Sequence, residues 1–194
     1  MDTYSANSLK VLDNSLIEFK KKYTDKIELI EKNDKTEEGN KFHALICYYL
    51  KNYNVSKFLC ALSDNEKEIF ERIKKSDIIK FVLSGDKKYI EQPFLVKTFI
   101  GNREFYLTGR FDCVVEKNKK IYICDWKINN LPECPENDIQ TLVYVFAASK
   151  LFKTKEIEMV YYSLLKDEKK SVKAVSDYIN NAENRIKEII QKTF

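Results

Sequence analysis

Glycine and proline are scarce in this chain of 194 residues, with four and three copies respectively. That excludes collagen-like and linker-rich chains. Long apolar runs are missing as well. The longest uncharged one, Ile139 to Ser149, has eleven residues, against the roughly twenty that a helix needs to cross a bilayer. The first ten residues hold no apolar signal core, so a cytoplasmic location and no membrane partner are expected. Cysteine is thinly spread. Cys47, Cys60, Cys113, Cys124 and Cys134 are odd in number and include no Cys-x-x-Cys pair. Four of them lie in apolar surroundings and read as reduced thiols, while Cys134 beside Pro135 reads as a loop residue. A cysteine metal cluster is not expected. Charge of one sign is also lacking: 34 basic against 30 acidic residues leave a net +4. This excludes a histone-like polycation, and permits a local basic face for nucleic acid without demanding one. The only arginines are Arg72, Arg103, Arg110 and Arg185.

What is present is apolar and aromatic. A composition of 44% hydrophobic and 13% aromatic residues excludes a disordered chain, because it supplies the burial that offsets ordering entropy. The length suits one domain. Periodicity shifts once, near residue 88. Before it, Leu9, Leu12, Leu16 and Phe19 form one helical stripe and Phe42, Leu45, Ile46 and Tyr49 another, followed by segments at 58–62 and 69–79. After it, Ile90 to Ile100 and Phe105 to Val115 read as strands joined by the Gly101-Asn102 turn, and Ile121 to Lys127 as a third strand. Asp138 to Phe152 is helical, Glu156 to Leu164 is a strand, and an amphipathic helix closes the chain. The expectation is one α/β domain over 1–194, with a mixed central sheet flanked by helices. Residues 1–87 are mainly helical, 88–165 hold the sheet and a crossover helix, and 172–194 form the last helix.

The third strand carries the chemistry. Period two puts Asp125 and Lys127 on one face beside Ile121 and Ile123. Charges at the end of an apolar strand need a partner or a metal. Asp112, in Gly109-Arg110-Phe111-Asp112, lies across the hairpin, and two carboxylates a few ångströms apart repel unless a cation sits between them. Oxygen ligands favour magnesium or manganese, and Lys127 is placed to stabilise developing charge. The plainer reading is a salt bridge at a strand end. Gln140 and Tyr144 share a helix face, as do Gly39 and His43. His43 is the only histidine, and a lone histidine is most often simply a satisfied core or surface residue.

The order Gly39-x-x-x-His43, Gly109-Arg110-Phe111-Asp112, Asp125-Trp126-Lys127, Gln140-x-x-x-Tyr144 resembles the PD-(D/E)XK nuclease superfamily, in its RecB-like branch that includes the CRISPR-associated exonucleases. The resemblance spans about residues 5 to 165 and implies that superfamily's restriction-endonuclease-like core. It implies a divalent-metal-dependent deoxyribonuclease. His43, Asp112, Asp125 and the Trp126 carbonyl would bind Mg2+ or Mn2+, and Lys127 would be the catalytic lysine. Gln140 and Tyr144 would support the site and contact DNA. Glu91 would be an additional acid, or else a strand-edge surface charge. DNA is the implied partner, with a helicase or a recombination or defence complex as the assembly served. Some members carry a four-cysteine iron–sulfur cluster. Here the matching N-terminal stretch is Leu12 to Ser15 and no cysteine follows Cys134, so no cluster is expected. Phosphates would be met by lysines at 20–22, 87–88 and 150–155, stretches that otherwise read as solvated faces. The rivals are an inactive nuclease fold that binds DNA or a protein, and a plain interaction domain.

Overall fold

The computed structural model describes residues 2–25, 34–154 and 156–194, without the side chains of 34–38. Six strands form one mixed sheet: β1 (Asp2–Tyr4), β2 (Lys87–Ile100), β3 (Arg103–Lys117), β4 (Lys120–Lys127), β5 (Ile157–Ser163) and β6 (Glu168–Ala174). Helices α1 (Ala6–Asn14), α7 (Ile139–Phe152) and α8 (Ser176–Gln191) pack on one face. Helices α3 (Asp34–Leu50), α5 (Asp64–Lys75) and α6 (Asp77–Leu83) pack on the other, with the short α2 (Leu16–Phe19) and α4 (Ser56–Leu59) completing the set. Each face therefore has its own apolar core. Leu9, Val143, Phe146 and Ile186 fill the first, and Phe42, Ile46, Phe70 and Trp126 the second.

Boundaries differ from the sequence reading where a polar residue interrupts an apolar rhythm. Ser76 divides the 69–79 segment into α5 and α6. Its hydroxyl donates to the Ile73 carbonyl while its backbone turns extended. Ser15 likewise separates α1 from α2. Two strands escaped the sequence. β1 has three residues, and β6 is a lysine-rich edge strand whose exposed side chains show little alternation. The last helix consequently begins at Ser176, and 168–174 belong to the sheet.

The central strand β3 sets the geometry of the site. β2 pairs along nearly all of it. Its other edge is shared: β1 takes Phe105–Leu107 and β4 takes Cys113–Lys117. Between them, residues 108–112 have no strand partner on that edge, so β3 and β4 part in a fork. The faces also exchange there. Phe105, Leu107 and Phe111 lie in the first core, whereas Cys113 and Val115 lie in the second and Val114 in the first. On β2 the same exchange separates Phe94 and Val96 from Ile90. The pivot is Glu91, whose φ of 56° is left-handed within a strand. Its place opposite Asp112 is the one skipped in an otherwise continuous β2–β3 register. One residue out of the extended region turns the remainder of a strand over.

Below the fork, Gly109 gives Phe94 its place. A Cβ on Gly109 would stand 2.6 Å from Phe94 Cζ. That ring is pinned against Phe111 and Tyr144, at centroid distances of 4.6 and 5.7 Å. Gly109→Ala is therefore expected to destabilise the fold by roughly 1–3 kcal/mol through overpacking, with Phe94→Leu in the same chain restoring part of the loss. Thermal unfolding of the two variants checks this; a Gly109→Ala protein as stable as the wild type would refute the packing argument.

Candidate active site

The fork brings the chemistry-bearing residues together by replacing ladder hydrogen bonds with side-chain ones. Cys113 and Cys124 are the last paired residues of β3 and β4. The next position on each strand is an aspartate. Asp112 Oδ2 accepts from the Trp126 backbone N–H at 2.8 Å. On the parted edge, the Arg110 carbonyl accepts from the Tyr144 hydroxyl at 2.9 Å. Burial raises the Tyr144 hydroxyl well above its ordinary range, so it stays a donor. Tyr144 is largely buried in the first core and its hydroxyl is engaged by the Arg110 carbonyl, which gives it a positioning role.

On the α7 side of the sheet, Gln140 bridges an acid and a base. Its Nε2 donates to Asp125 Oδ1 at 2.6 Å, and its Oε1 accepts from Lys127 Nζ at 2.9 Å. The amide can sit only this way round, because a carboxylate cannot donate and an ammonium cannot accept. Asp138 caps α7 by accepting from the Gln140 N–H, which fixes the first turn of the helix at the site. Lys127 Nζ lies 2.7 Å from Asp125 Oδ2 and 5.5 Å from the centre of the Tyr161 ring. The approach to Oδ2 is off hydrogen-bond geometry. Oδ2 is the one buried side-chain polar atom among the described residues without a hydrogen bond.

On the α3 side, His43 Nε2 lies 2.6 Å from the Trp126 carbonyl. A carbonyl only accepts, so Nε2 carries the proton and Nδ1 presents its lone pair. That lone pair lies 3.6 Å from Asp112 Oδ2. His43, Glu91 and Asp112 together offer three ligand atoms within 4.8 Å of one another. Glu91, expected as an accessory acid, stands in this donor group. Asp125, expected as a metal ligand, has Oδ1 against Gln140 Nε2 and Oδ2 2.7 Å from Lys127 Nζ. The Trp126 carbonyl, expected as a ligand too, accepts from His43 with one lone pair and keeps a second. The signal for Glu91 was weak in sequence, because its place in the group depends on a backbone conformation that period two does not reveal. Gly39, one turn before His43, lets α3 approach the end of β4; a Cβ there would stand 3.1 Å from Ile128 Cγ1.

The residues fit a divalent cation. Two carboxylates and an imidazole nitrogen come within 4.8 Å of one another, with the Trp126 N–H on one Asp112 oxygen and Arg110 Nε on one Glu91 oxygen, and Asp125 Oδ2 is buried without a hydrogen bond. The lysines expected to meet phosphates have these surroundings. Lys87 pairs with Glu116 and Lys150 with Glu183, Lys88 reaches the Leu83 carbonyl, and Lys155 lies outside the described residues. Lys20–Lys22 lie in an exposed π-helical turn. No helix among the described residues is long and apolar enough to cross a membrane.

Burial, with the charge of Asp125 next, pushes the Asp112 carboxyl up to about 8. The folded protein then keeps a proton that the unfolded chain gives up near the model-peptide value of 3.8. More protons bound in the folded state mean that stability declines as pH rises from about 4 to about 8. In EDTA, the Tm of the wild type is expected to fall across this range more steeply than that of Asp112→Asn, and manganese at the upper end should restore it. Parallel pH profiles for the two proteins would overturn the assignment.

Similarity to known proteins agrees with this geometry. A crystal structure of a presumed exonuclease from Eubacterium rectale superposes with a TM-score of 0.60 at 12% identity, covering 98% of this chain and 81% of that one. The crystal structure of SSO0001 gives a TM-score of 0.48 at 12% identity, over 99% and 75%. No curated protein matches the sequence. The family model for the PD-(D/E)XK nuclease superfamily matches residues 3–194. With its mixed sheet, its forked strands and a match along almost its whole length, the chain belongs to the PD-(D/E)XK nuclease superfamily.

Proposed function

We propose that the chain is a metal-dependent deoxyribonuclease, hydrolysing a phosphodiester to a phosphate monoester and a hydroxyl. The observation that carries this reading is the placement of Lys127. Its ammonium is partly exposed and anchored by Gln140 and Asp125, and its charge reaches Asp112 of the donor group. Magnesium or manganese held by that group would supply Lewis acidity toward a phosphoryl oxygen and a lowered pKa for water. The protein's own residues do the rest. Lys127 sets a fixed positive charge where negative charge grows on the phosphoryl group. Gln140 holds that ammonium in one orientation, so little reorganisation is needed during reaction. The Trp126 carbonyl and N–H lock His43 and Asp112 from the same peptide segment. Tyr144 keeps the fork open by taking the Arg110 carbonyl.

Lys127→Ala is expected to lower DNA cleavage by roughly a hundred- to a thousandfold, the usual loss for one fixed electrostatic donor. Its manganese binding by calorimetry should be retained. If Lys127 were merely the salt-bridge partner of Asp125, the same change would instead leave a buried charge uncompensated, costing roughly 3–5 kcal/mol of stability. An early-melting variant that still cuts DNA would sink the catalytic role. A wild-type protein that binds manganese and cuts no DNA would leave the fold as a binding module.

A further inference from the structure

Arg110 is the one arginine among the described residues whose only partner is a single carboxylate. Arg72 donates to the Leu165 carbonyl, Arg185 holds Asp13 and Glu188, and Arg103 lies 4.4 Å over the Phe194 ring. The Arg110 side chain is 65% exposed, and its one partner is Glu91, whose Oε2 lies 2.7 Å from Nε. No described residue bonds its Nη groups. The backbone beneath it is fixed, because its carbonyl is held by Tyr144. Glu91 in turn belongs to the donor group with His43 and Asp112. The guanidinium thus stands next to a carboxylate of the candidate metal site and turns an open edge to solvent.

We propose that Arg110 is a phosphate-binding residue of this site, taking a non-bridging oxygen of the nucleic-acid backbone while its Nε stays against Glu91. The inference rests on the nuclease reading and adds a substrate contact to it. A planar guanidinium with Nη groups to spare suits a phosphate in a way that a lysine ammonium does not. Contact with Glu91 orients the fork at little entropic cost, and ties phosphate capture to the carboxylate that faces the metal position.

The test measures binding of a fluorescently labelled oligonucleotide, single-stranded and duplex, by anisotropy in calcium buffers over a range of salt concentrations. Arg110→Gln is expected to weaken binding roughly 10- to 100-fold, as for one charge-assisted hydrogen-bonded contact. It should also reduce the slope of log affinity against log salt by roughly 0.7–0.9, the share of one phosphate. Arg110→Lys should keep the slope and recover only part of the affinity. A purely structural role, as counter-charge to Glu91, predicts altered manganese affinity by calorimetry with the wild-type salt slope, and that result would overturn the proposal. So would wild-type affinity in Arg110→Gln. Binding and cleavage by the wild type, with Arg110→Gln unchanged, refutes this contact alone. A wild type that binds neither probe at low salt removes the nuclease reading as well.

Discussion

Two carboxylates face each other where a buried strand pair ends, and most of the site answers their mutual repulsion. Asp112 and Asp125 follow the last paired residues, Cys113 and Cys124. Left alone, such a pair would hold a proton or push the strands apart. The protein spreads the load over three elements. β4 lends the Trp126 N–H to Asp112, α7 lends Gln140 to Asp125, and Lys127 supplies a positive charge. What remains is a lifted Asp112 pKa and one orphaned oxygen on Asp125. Both are costs for a folded chain and assets for binding a cation, which is the usual bargain at a functional site.

The fork itself depends on backbone. A left-handed glutamate inside a strand costs of order 1–3 kcal/mol. It persists because β2 is paired on either side of Glu91, at Ile90 with Cys113 and at Gln92 with Phe111. The exchange of faces at that point lets one sheet serve two helical layers. It also leaves Glu91 and Asp112 at the seam between two cores, where a charged side chain reaches solvent without crossing apolar packing.

Much of this was legible in the sequence, and for identifiable reasons. Asp125 and Lys127 announce themselves because charge interrupts an apolar period of two. Gln140 does so through its helical spacing from Tyr144. The helical layers and four of the strands follow from periodicity alone. The donor role of Glu91 did not, since it depends on a single φ angle that no composition rule encodes. Tyr144 was legible as a residue supporting the site, but its depth was not, because a polar tip conceals how deeply an aromatic ring is buried. β6 was unreadable because edge strands protect themselves with lysine, which erases alternation. Arg110 was visible as a letter in a motif, and only its open guanidinium gives it a role.

The skipped pair at Glu91 and Asp112 also separates the β2–β3 hairpin into two mechanical parts. The paired strands run on from Cys113 on one side of the pivot and from Phe111 on the other, and the Gly101-Asn102 turn lies at the far end of that second arm. Residues added in equal number to both strands beyond Phe99 and Glu104 would preserve the opposition of Glu91 and Asp112 and the β1 contact at Phe105–Leu107. The hairpin tip is thus a graft point, where length can be added while the opposition of Glu91 and Asp112 is kept.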